Sequence, residues 1–358
     1  MTTETEKLPS IVSSVLIPRK DKNVKEALDV FFCFDDAFCL PTGISAFSVL
    51  ENNKTLPLNV HLVGVDVSDK NLDYFKQLNC SPNSEILFHS LTAKECEKIT
   101  ASRSTLHFPP ASFIRIFLPE LFPALSKMLY LDGDTLCVGS LKELADLDLK
   151  GKLAAVVLDI KAKDGSSVRH GRRDFNSGMM LINVKPYVES DIAQKTLTVL
   201  ENNRQYKSPD QMALNDALED RRVILPKKFN FIQELTVHGE QDQDRPTDSV
   251  IVHYANRSKP WTEAFSTRLY QKYYGSSPWK GFSKELVYKK DPNSIRRYAL
   301  WHLKNKDFGR FTKLLLIYLS VLIERKKRKL SKKLAHQTSK GRPICQVRSY
   351  ITKGASFT

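Results

Sequence analysis

Apolar residues come in short, β-branched runs separated by stretches of helical length. The runs 28–34 (LDVFFCF), 58–65 (LNVHLVGV), 85–88, 128–131, 153–158 (LAAVVL) and 179–182 read as strands, several of them apolar on both faces. A strand that is hydrophobic on both faces belongs to a covered, mostly parallel sheet. Between these runs, 43–50, 69–78, 92–99, 114–125, 187–202 and 209–218 have helical spacing, and the last opens on Ser208-Pro209, a capping residue followed by a first-turn proline. Strands alternating with helices predict an α/β domain over residues 25–260.

After Trp261 the pattern changes. Stretches 270–274, 294–304 and 308–334 have helical spacing, with Tyr, Trp and Phe interleaved among Lys and Arg. They predict a small basic helical extension over 261–334, followed by a flexible polar tail over 335–358. In the last helix Phe308, Phe311, Leu315, Leu319 and Leu322 recur three or four apart and form one apolar stripe. Seven Lys and Arg residues between 325 and 333 follow it.

Composition rules out wholesale disorder, because 41% hydrophobic and 27% charged residues over 358 positions suffice for a sizeable core. The formal charge of +15 is unevenly spread. From Lys280 onward there are 21 Lys/Arg against 4 Asp/Glu, leaving 34 against 36 in the preceding residues, so a nearly neutral body carries a basic tail. The first thirty residues lack the apolar and cationic regions of a secretory signal. The longest apolar run, 314–323, is about half of what a bilayer-spanning helix needs. Six cysteines without a Cys-x-x-Cys spacing read as buried free thiols of a reducing cytosol. A cytoplasmic protein is expected. Cations clustered beside an amphipathic helix point to an anionic surface, so peripheral contact with an anionic inner membrane through 308–334 is expected as well. The same cluster would suit a nucleic-acid binder. No recognisable nucleic-acid motif supports that alternative, and no nucleic-acid partner is expected.

Three Asp-x-Asp tripeptides occur: Asp132/Asp134, Asp146/Asp148 and Asp242/Asp244. Only the first ends a buried-looking strand, with Gly133 between its acids, and open α/β sheets bind their ligands at such strand ends. Carboxylates at i and i+2 there can point at one hard cation. Other polar groups border apolar elements in the same way. Asp35-Asp36 ends the first strand, Phe175-Asn176-Ser177-Gly178 enters another, Asp210-Gln211 opens a helix, and His253-Tyr254 with Lys259-Pro260-Trp261 follows the last strand.

In the order FxxDD, YLDxDxL, FNxGxxLIN, DQxxLN and HYxxxxKPW, these residues resemble glycosyltransferase family 8 over roughly 28–261. Beyond Trp261, Ser277-Pro278-Trp279-Lys280 and the aromatic-basic helices resemble the C-terminal extension of that family's lipopolysaccharide core glucosyl- and galactosyltransferases.

The resemblance implies a GT-A fold, Rossmann-like, and transfer of a hexose from UDP-glucose or UDP-galactose with retention. A lipopolysaccharide core would be the acceptor; another glycan or a protein is the alternative. By the same likeness Asp132, Asp134 and His253 would hold Mn²⁺ or Mg²⁺, and the imidazole favours Mn²⁺. Lys259 would place its ammonium on the diphosphate, and Asp35 would contact uracil or ribose, while Asp36 reads as structural. Many members have Asn-Tyr where this chain has Ala37-Phe38, so one donor-nucleotide hydrogen bond is missing or supplied elsewhere. Arg115, on the helix before the Asp-x-Asp strand, would reach a donor phosphate or sugar hydroxyl. Asp159, Asn176 and Ser177 match positions that read the donor sugar and the nearby acceptor. Asp210 would bind sugar hydroxyls, with Gln211 beneath the anomeric centre supporting an oxocarbenium-like transition state. An amide there is a poor nucleophile, which points to front-side attack rather than double displacement. Independently of the resemblance, the Gly-, Ser- and Arg-containing insertion 161–174 reads as a substrate loop, whose Arg169, Arg172 and Arg173 either contact acceptor phosphates or stay solvated.

Overall fold

The computed structural model describes residues 11–101, 110–159, 168–169, 172–203, 205–206, 208–238 and 245–338. They form two compact units, one spanning residues up to Trp261 together with 266–283, the other 262–265 with 284 onward.

In the first unit β1 (Val12–Ile17), β2 (Leu28–Asp35), β3 (Leu58–Val65), β4 (Glu85–Leu91), β5 (Lys127–Leu131), β7 (Ala154–Leu158), β8 (Phe175–Asn183) and β9 (Arg222–Ile224) make one sheet. Its order is β1-β4-β3-β2-β5-β8-β7-β9. The pairs β2–β3, β3–β4, β2–β5 and β7–β9 are parallel, whereas β8 runs antiparallel to both its neighbours and β1 is an antiparallel edge. The two-faced apolarity of β2 is explained by its place: seven of its eight residues are buried, with Phe31 packed among Val63, Met128, Tyr130 and Met180 on one side. A smaller sheet joins β6 (Thr135–Cys137), β10 (Phe231–Ile232) and β11 (Ile251–His253).

Helix α1 (Cys39–Asn52) explains how the Asp-x-Asp turn is held. It is lined with small residues, and Ser45 Oγ lies 2.8 Å from Thr135 Oγ1 while Ser48 Oγ accepts from the Cys137 amide at 2.9 Å. A Cβ on Gly43 would fall 2.1 Å from the ring of the fully buried Trp279. Trp279 also packs its edge against Phe75, 5.0 Å between ring centroids. Truncating a tryptophan in such a position costs about 3–5 kcal/mol. The other helices of this unit include α2 (Asp69–Phe75), α3 (Ala93–Ala101), α4 (Val184–Glu189), α5 (Ile192–Asn202), α6 (Pro209–Leu218) and α7 (Arg268–Ser276).

Several expectations change. The helix expected over 114–125 is instead a chain of single turns, Pro110–Phe113, Ile114–Ile116 and Leu118–Leu121, with Pro119 at the start of the last. The helix expected over 187–202 is broken at Asp191, whose φ of 51° lies in the left-handed region. The expected boundary at 261 also moves, because α7 belongs to the first unit: Asn52 of α1 donates to the Tyr273 hydroxyl at 2.9 Å. Five cysteines are free and four of them buried, Cys80 being half-buried; Cys345 lies outside the described residues.

The second unit is built on α8 (Pro292–Lys304) and α9 (Phe308–Thr338), whose helix runs past the expected tail boundary at 335; residues 339–358 lie outside the described ones. The face of α9 that packs is a different one from the stripe expected to meet a membrane. Leu314 and Val321 are buried, whereas Phe308 is 63% exposed and Leu319 45%. Among the described residues no helix is long and apolar enough to cross a membrane.

Candidate functional site

At the C-terminal end of β5 the chain turns through Asp132-Gly133-Asp134 into β6, and the β6–β11 pairing brings His253 opposite Thr135. One ligand atom each from Asp132, Asp134 and His253 falls within 4.8 Å of the others. His253 Nε2 is 3.1 Å from Asp134 Oδ1 and 3.7 Å from Asp132 Oδ2. Gly133 is required here, because a Cβ would meet Thr42 Oγ1 at 2.2 Å. Gly178 on the neighbouring β8 is required for the same reason: a Cβ there would lie 2.2 Å from His253 Cε1 and 2.7 Å from Asp132 Oδ2.

Two carboxylates and an imidazole nitrogen suit a divalent ion that takes mixed oxygen and nitrogen ligands. The buried Asp134 Oδ1 accepts no well-directed hydrogen bond despite His253 nearby, which leaves its lone pairs for a cation. The donor set therefore fits a metal. Lys259 closes the other side of Asp134, donating to Oδ2 at 2.6 Å and to the Tyr254 carbonyl at 2.7 Å. Burial pushes the Asp134 carboxyl up, but the Lys259 ammonium outweighs it and holds the group below the usual carboxylate range.

A chain of amides links the histidine to the far side of the site. Asn230 Oδ1 lies 3.0 Å from His253 Nδ1, Asn230 Nδ2 donates to Asn176 Oδ1 (2.9 Å), and Asn176 Nδ2 donates to Gln211 Oε1 (3.2 Å). The Ser177 amide donates to that same oxygen, and Gln211 Nε2 donates to Asp159 Oδ2 at 3.0 Å. Asn215, one turn along α6 from Gln211, bonds both the amide and the carbonyl of Phe175 and so joins α6 to β8.

Arg115 is buried on the single turn Ile114–Ile116 and spans two acids. Nη1 donates to Asp132 Oδ1 and Nη2 reaches Asp210 Oδ2, each at 2.9 Å. Burial would lower the guanidinium, but Asp132, Tyr130 and Asp210 raise it, so the cation persists. The Tyr130 hydroxyl, pushed up by burial, donates to Asp132 at 2.6 Å.

Nine of the eleven residues singled out from the sequence line one cavity of about 630 Å³: Arg115, Asp132, Asp134, Asp159, Asn176, Ser177, Asp210, Gln211 and His253. Lys259 stands behind Asp134 rather than on the wall. Asp35 is also off the wall, its carboxylate accepting from the Phe38 amide at 3.0 Å to cap the turn before α1. Asp36 accepts from Ser68 and Asn71 and ties that turn to α2. Phe38 sets its ring edge-on to Trp261, 5.5 Å between centroids. Most of loop 161–174 lies outside the described residues; within it Val168–Arg169 and Arg172–Arg173 pair antiparallel. The sequence reading missed Asn230, which sits in no recognised motif. It also missed Glu234 and Asn256, which line the same cavity.

Comparison with known proteins agrees with this geometry. Residues 29–264 match the model of glycosyl transferase family 8. A lipopolysaccharide 1,2-glucosyltransferase of Escherichia coli is 27% identical over 80% of this chain and 90% of its own. The lipopolysaccharide glucosyltransferase WaaO of E. coli K12 is 25% identical over 90% and 97%. The lipopolysaccharide 1,3-galactosyltransferase of Salmonella typhimurium is 26% identical over 66% and 73%. In fold, the chain is similar to the crystal structure of the galactosyltransferase LgtC, with a TM-score of 0.58 at 23% identity over 70% of this chain and 96% of that one. The matched segment contains every residue of the cavity wall and, apart from edge strand β1 and the first residue of β2, the described strands of the first unit, and by it the chain belongs to glycosyl transferase family 8 and is a glycosyltransferase.

Proposed function

We propose that this protein is a retaining hexosyltransferase that moves glucose or galactose from a UDP-sugar onto a lipopolysaccharide core, with Mn²⁺ or Mg²⁺ held by Asp132, Asp134 and His253. The observation that carries the reading is the meeting, in one cavity, of that ligand cluster with Asp159, Asp210 and Gln211. When bound, the divalent ion supplies Lewis-acid neutralisation of charge on a leaving diphosphate. The relatives named above act on lipopolysaccharide with glucose or galactose, which is where the acceptor and sugar class come from.

The roles of the chain's own groups follow from their placement. Arg115, kept cationic between two acids, offers charge to donor phosphate oxygens or a sugar hydroxyl. Lys259 steadies Asp134 and is assigned a share of the diphosphate charge. Asp35 at the end of β2 is assigned to the uridine. Asn176 and Ser177 hold Gln211, and the amide so fixed is assigned the place beneath the donor sugar. Gln211 binds Asp159 and Arg115 binds Asp210, which supports assigning both carboxylates to orient sugar hydroxyls rather than to attack carbon. The acceptor hydroxyl then attacks on the face the diphosphate leaves, and the departing phosphate takes its proton. Mass spectrometry of enzyme quenched during turnover is expected to find no sugar on Asp159 or Asp210; a covalent adduct there would show double displacement instead.

The second unit suggests how the enzyme meets its acceptor. Leu315, Leu316, Leu319, Leu322 and Ile323 are 38–63% exposed and lie three or four apart on α9, with Lys326 and Lys329 continuing the same face. Each such cation is worth about 1 kcal/mol at an anionic leaflet, so we assign this face to peripheral attachment. Protein lacking 308–358 is expected to lose partition onto anionic vesicles; equal partition refutes the assignment.

The defining experiment measures UDP release from UDP-glucose and UDP-galactose, with Mn²⁺ or EDTA, with and without truncated lipopolysaccharide. Acceptor-stimulated, metal-dependent release from one donor is expected. No turnover and no UDP binding with any donor would overturn the proposal.

A further inference from the structure

A second cavity, of about 660 Å³, lies entirely within the second unit and takes no part in the site above. Its floor is apolar: Val287, Ile295 and Val321 are at most 5% exposed, with Ile317 beside them. Its rim holds Lys289, Lys290, Arg325 and Arg328 against Glu285 and Glu324, four positive charges against two negative. Among the described residues no ion pair or side-chain hydrogen bond engages any of these four cations; Lys289 Nζ only rests 5.0 Å from the Tyr288 ring.

The turn that carries the two lysines is strained. Lys289 has φ 50° and ψ 33°, and Lys290 has φ 46°, two successive side-chain-bearing residues in the left-handed region. L-residues avoid that region, and it persists where the surroundings enforce it, frequently at ligand-binding turns. On α9 the cavity takes the face of Ile317, Val321, Glu324 and Arg328, spaced four, three and four apart. That face is opposite the exposed apolar one, so the cavity does not open onto a bilayer that the exposed face would meet.

We propose that this cavity binds a soluble organic phosphomonoester, its dianion set against the net charge of +2 on the rim and its carbon portion on the apolar floor. A cationic rim alone would hold inorganic phosphate equally well, and an apolar floor alone would hold a neutral alcohol; the two together select the ester. The inference is independent of the transferase reading.

The test is isothermal titration of the full-length protein with hexyl phosphate, inorganic phosphate and hexanol at pH 8. Saturable one-to-one binding of hexyl phosphate is expected, with the other two weaker by about tenfold or more. The double variant Arg325→Gln/Arg328→Gln is expected to lose about tenfold in affinity. Lys326→Gln/Lys327→Gln, equal in charge change and on the same helix but outside the cavity, is expected to bind as the wild type does. Should the arginine variant melt early, Lys289→Gln/Lys290→Gln tests the same rim from the turn. Absence of saturable hexyl phosphate binding, equal affinity for inorganic phosphate, or equal loss in both α9 variants would overturn the proposal. So would binding of phosphatidic acid vesicles that depends on Arg325 and Arg328 while hexyl phosphate fails to bind, because the occupant would then be a lipid headgroup.

Discussion

Asn230 Oδ1 lies 3.0 Å from His253 Nδ1, and because the Asn230 amide nitrogen is already donating to Asn176, that oxygen is the acceptor. The bond therefore puts the ring proton on Nδ1 and turns the Nε2 lone pair toward the two aspartates. Partners of this kind behind a metal ligand typically change metal affinity by 10–100-fold. Asn230→Ala is expected to raise the Mn²⁺ concentration needed for half-maximal UDP release by about that factor, with turnover restored by excess Mn²⁺. An unchanged Mn²⁺ titration would remove Asn230 from the site.

The two acids of the Asp-x-Asp turn should differ in stability while agreeing in activity. Asp134 forms a buried pair with Lys259, itself 7% exposed, and stripping one partner from such a pair costs about 3–5 kcal/mol. Asp132 is more open, and its partner Arg115 keeps Asp210. Both Asp132→Asn and Asp134→Asn are expected to abolish metal-dependent turnover. Urea unfolding should show the larger loss for Asp134→Asn; near-wild-type turnover in either variant would discard the ligand assignment.

Gly178, like Gly133, is a position where the site tolerates no side chain. Its hypothetical Cβ falls 2.2 Å from the His253 ring, whereas one at Gly275 meets nothing within 4 Å. Gly178→Ala is expected to eliminate UDP release and Gly275→Ala to leave it intact. A fully active Gly178→Ala enzyme would mean that His253 and Asp132 need not keep this spacing.

Stability at acid pH should respond to His89. Its Nε2 lies 2.9 Å from His61 Nδ1, and Ser13 Oγ is 2.7 Å from its other nitrogen. Burial, and then the neighbouring His61, hold its pKa down at about 3 against 6.5. Between those values the unfolded chain binds a proton that the folded one refuses, so stability present above about pH 6.5 is lost as pH falls, by at most about 1.4 kcal/mol per pH unit. His89→Asn is expected to flatten that slope in denaturant melts taken from pH 7 to 4. An identical slope would show that other groups govern it.

What could be read from the chain is what local pattern controls. Strands β2, β3 and β5 were legible because residues apolar on both faces have few homes other than a covered sheet. The cavity residues were legible because each sits at the edge of an apolar element, within a few positions of a strand or helix end. Pattern failed where geometry depends on remote neighbours. The turns carrying Arg115 look helical by spacing, yet they break into single turns and leave its guanidinium between Asp132 and Asp210. On α9, periodicity detected an apolar stripe but could not say that Leu314 and Val321 would pack while Leu319 stayed exposed, since that is decided by what α8 presents. Asn230 has no local signature at all. The motif residues and the covered strands were therefore determined by the sequence alone. The amide chain from His253 to Asp159, the pairing of Lys259 with Asp134 and the bridging role of Arg115 were decided only by the tertiary structure, because a buried polar side chain takes its hydrogen-bond partner from whichever strand or helix folding brings alongside it.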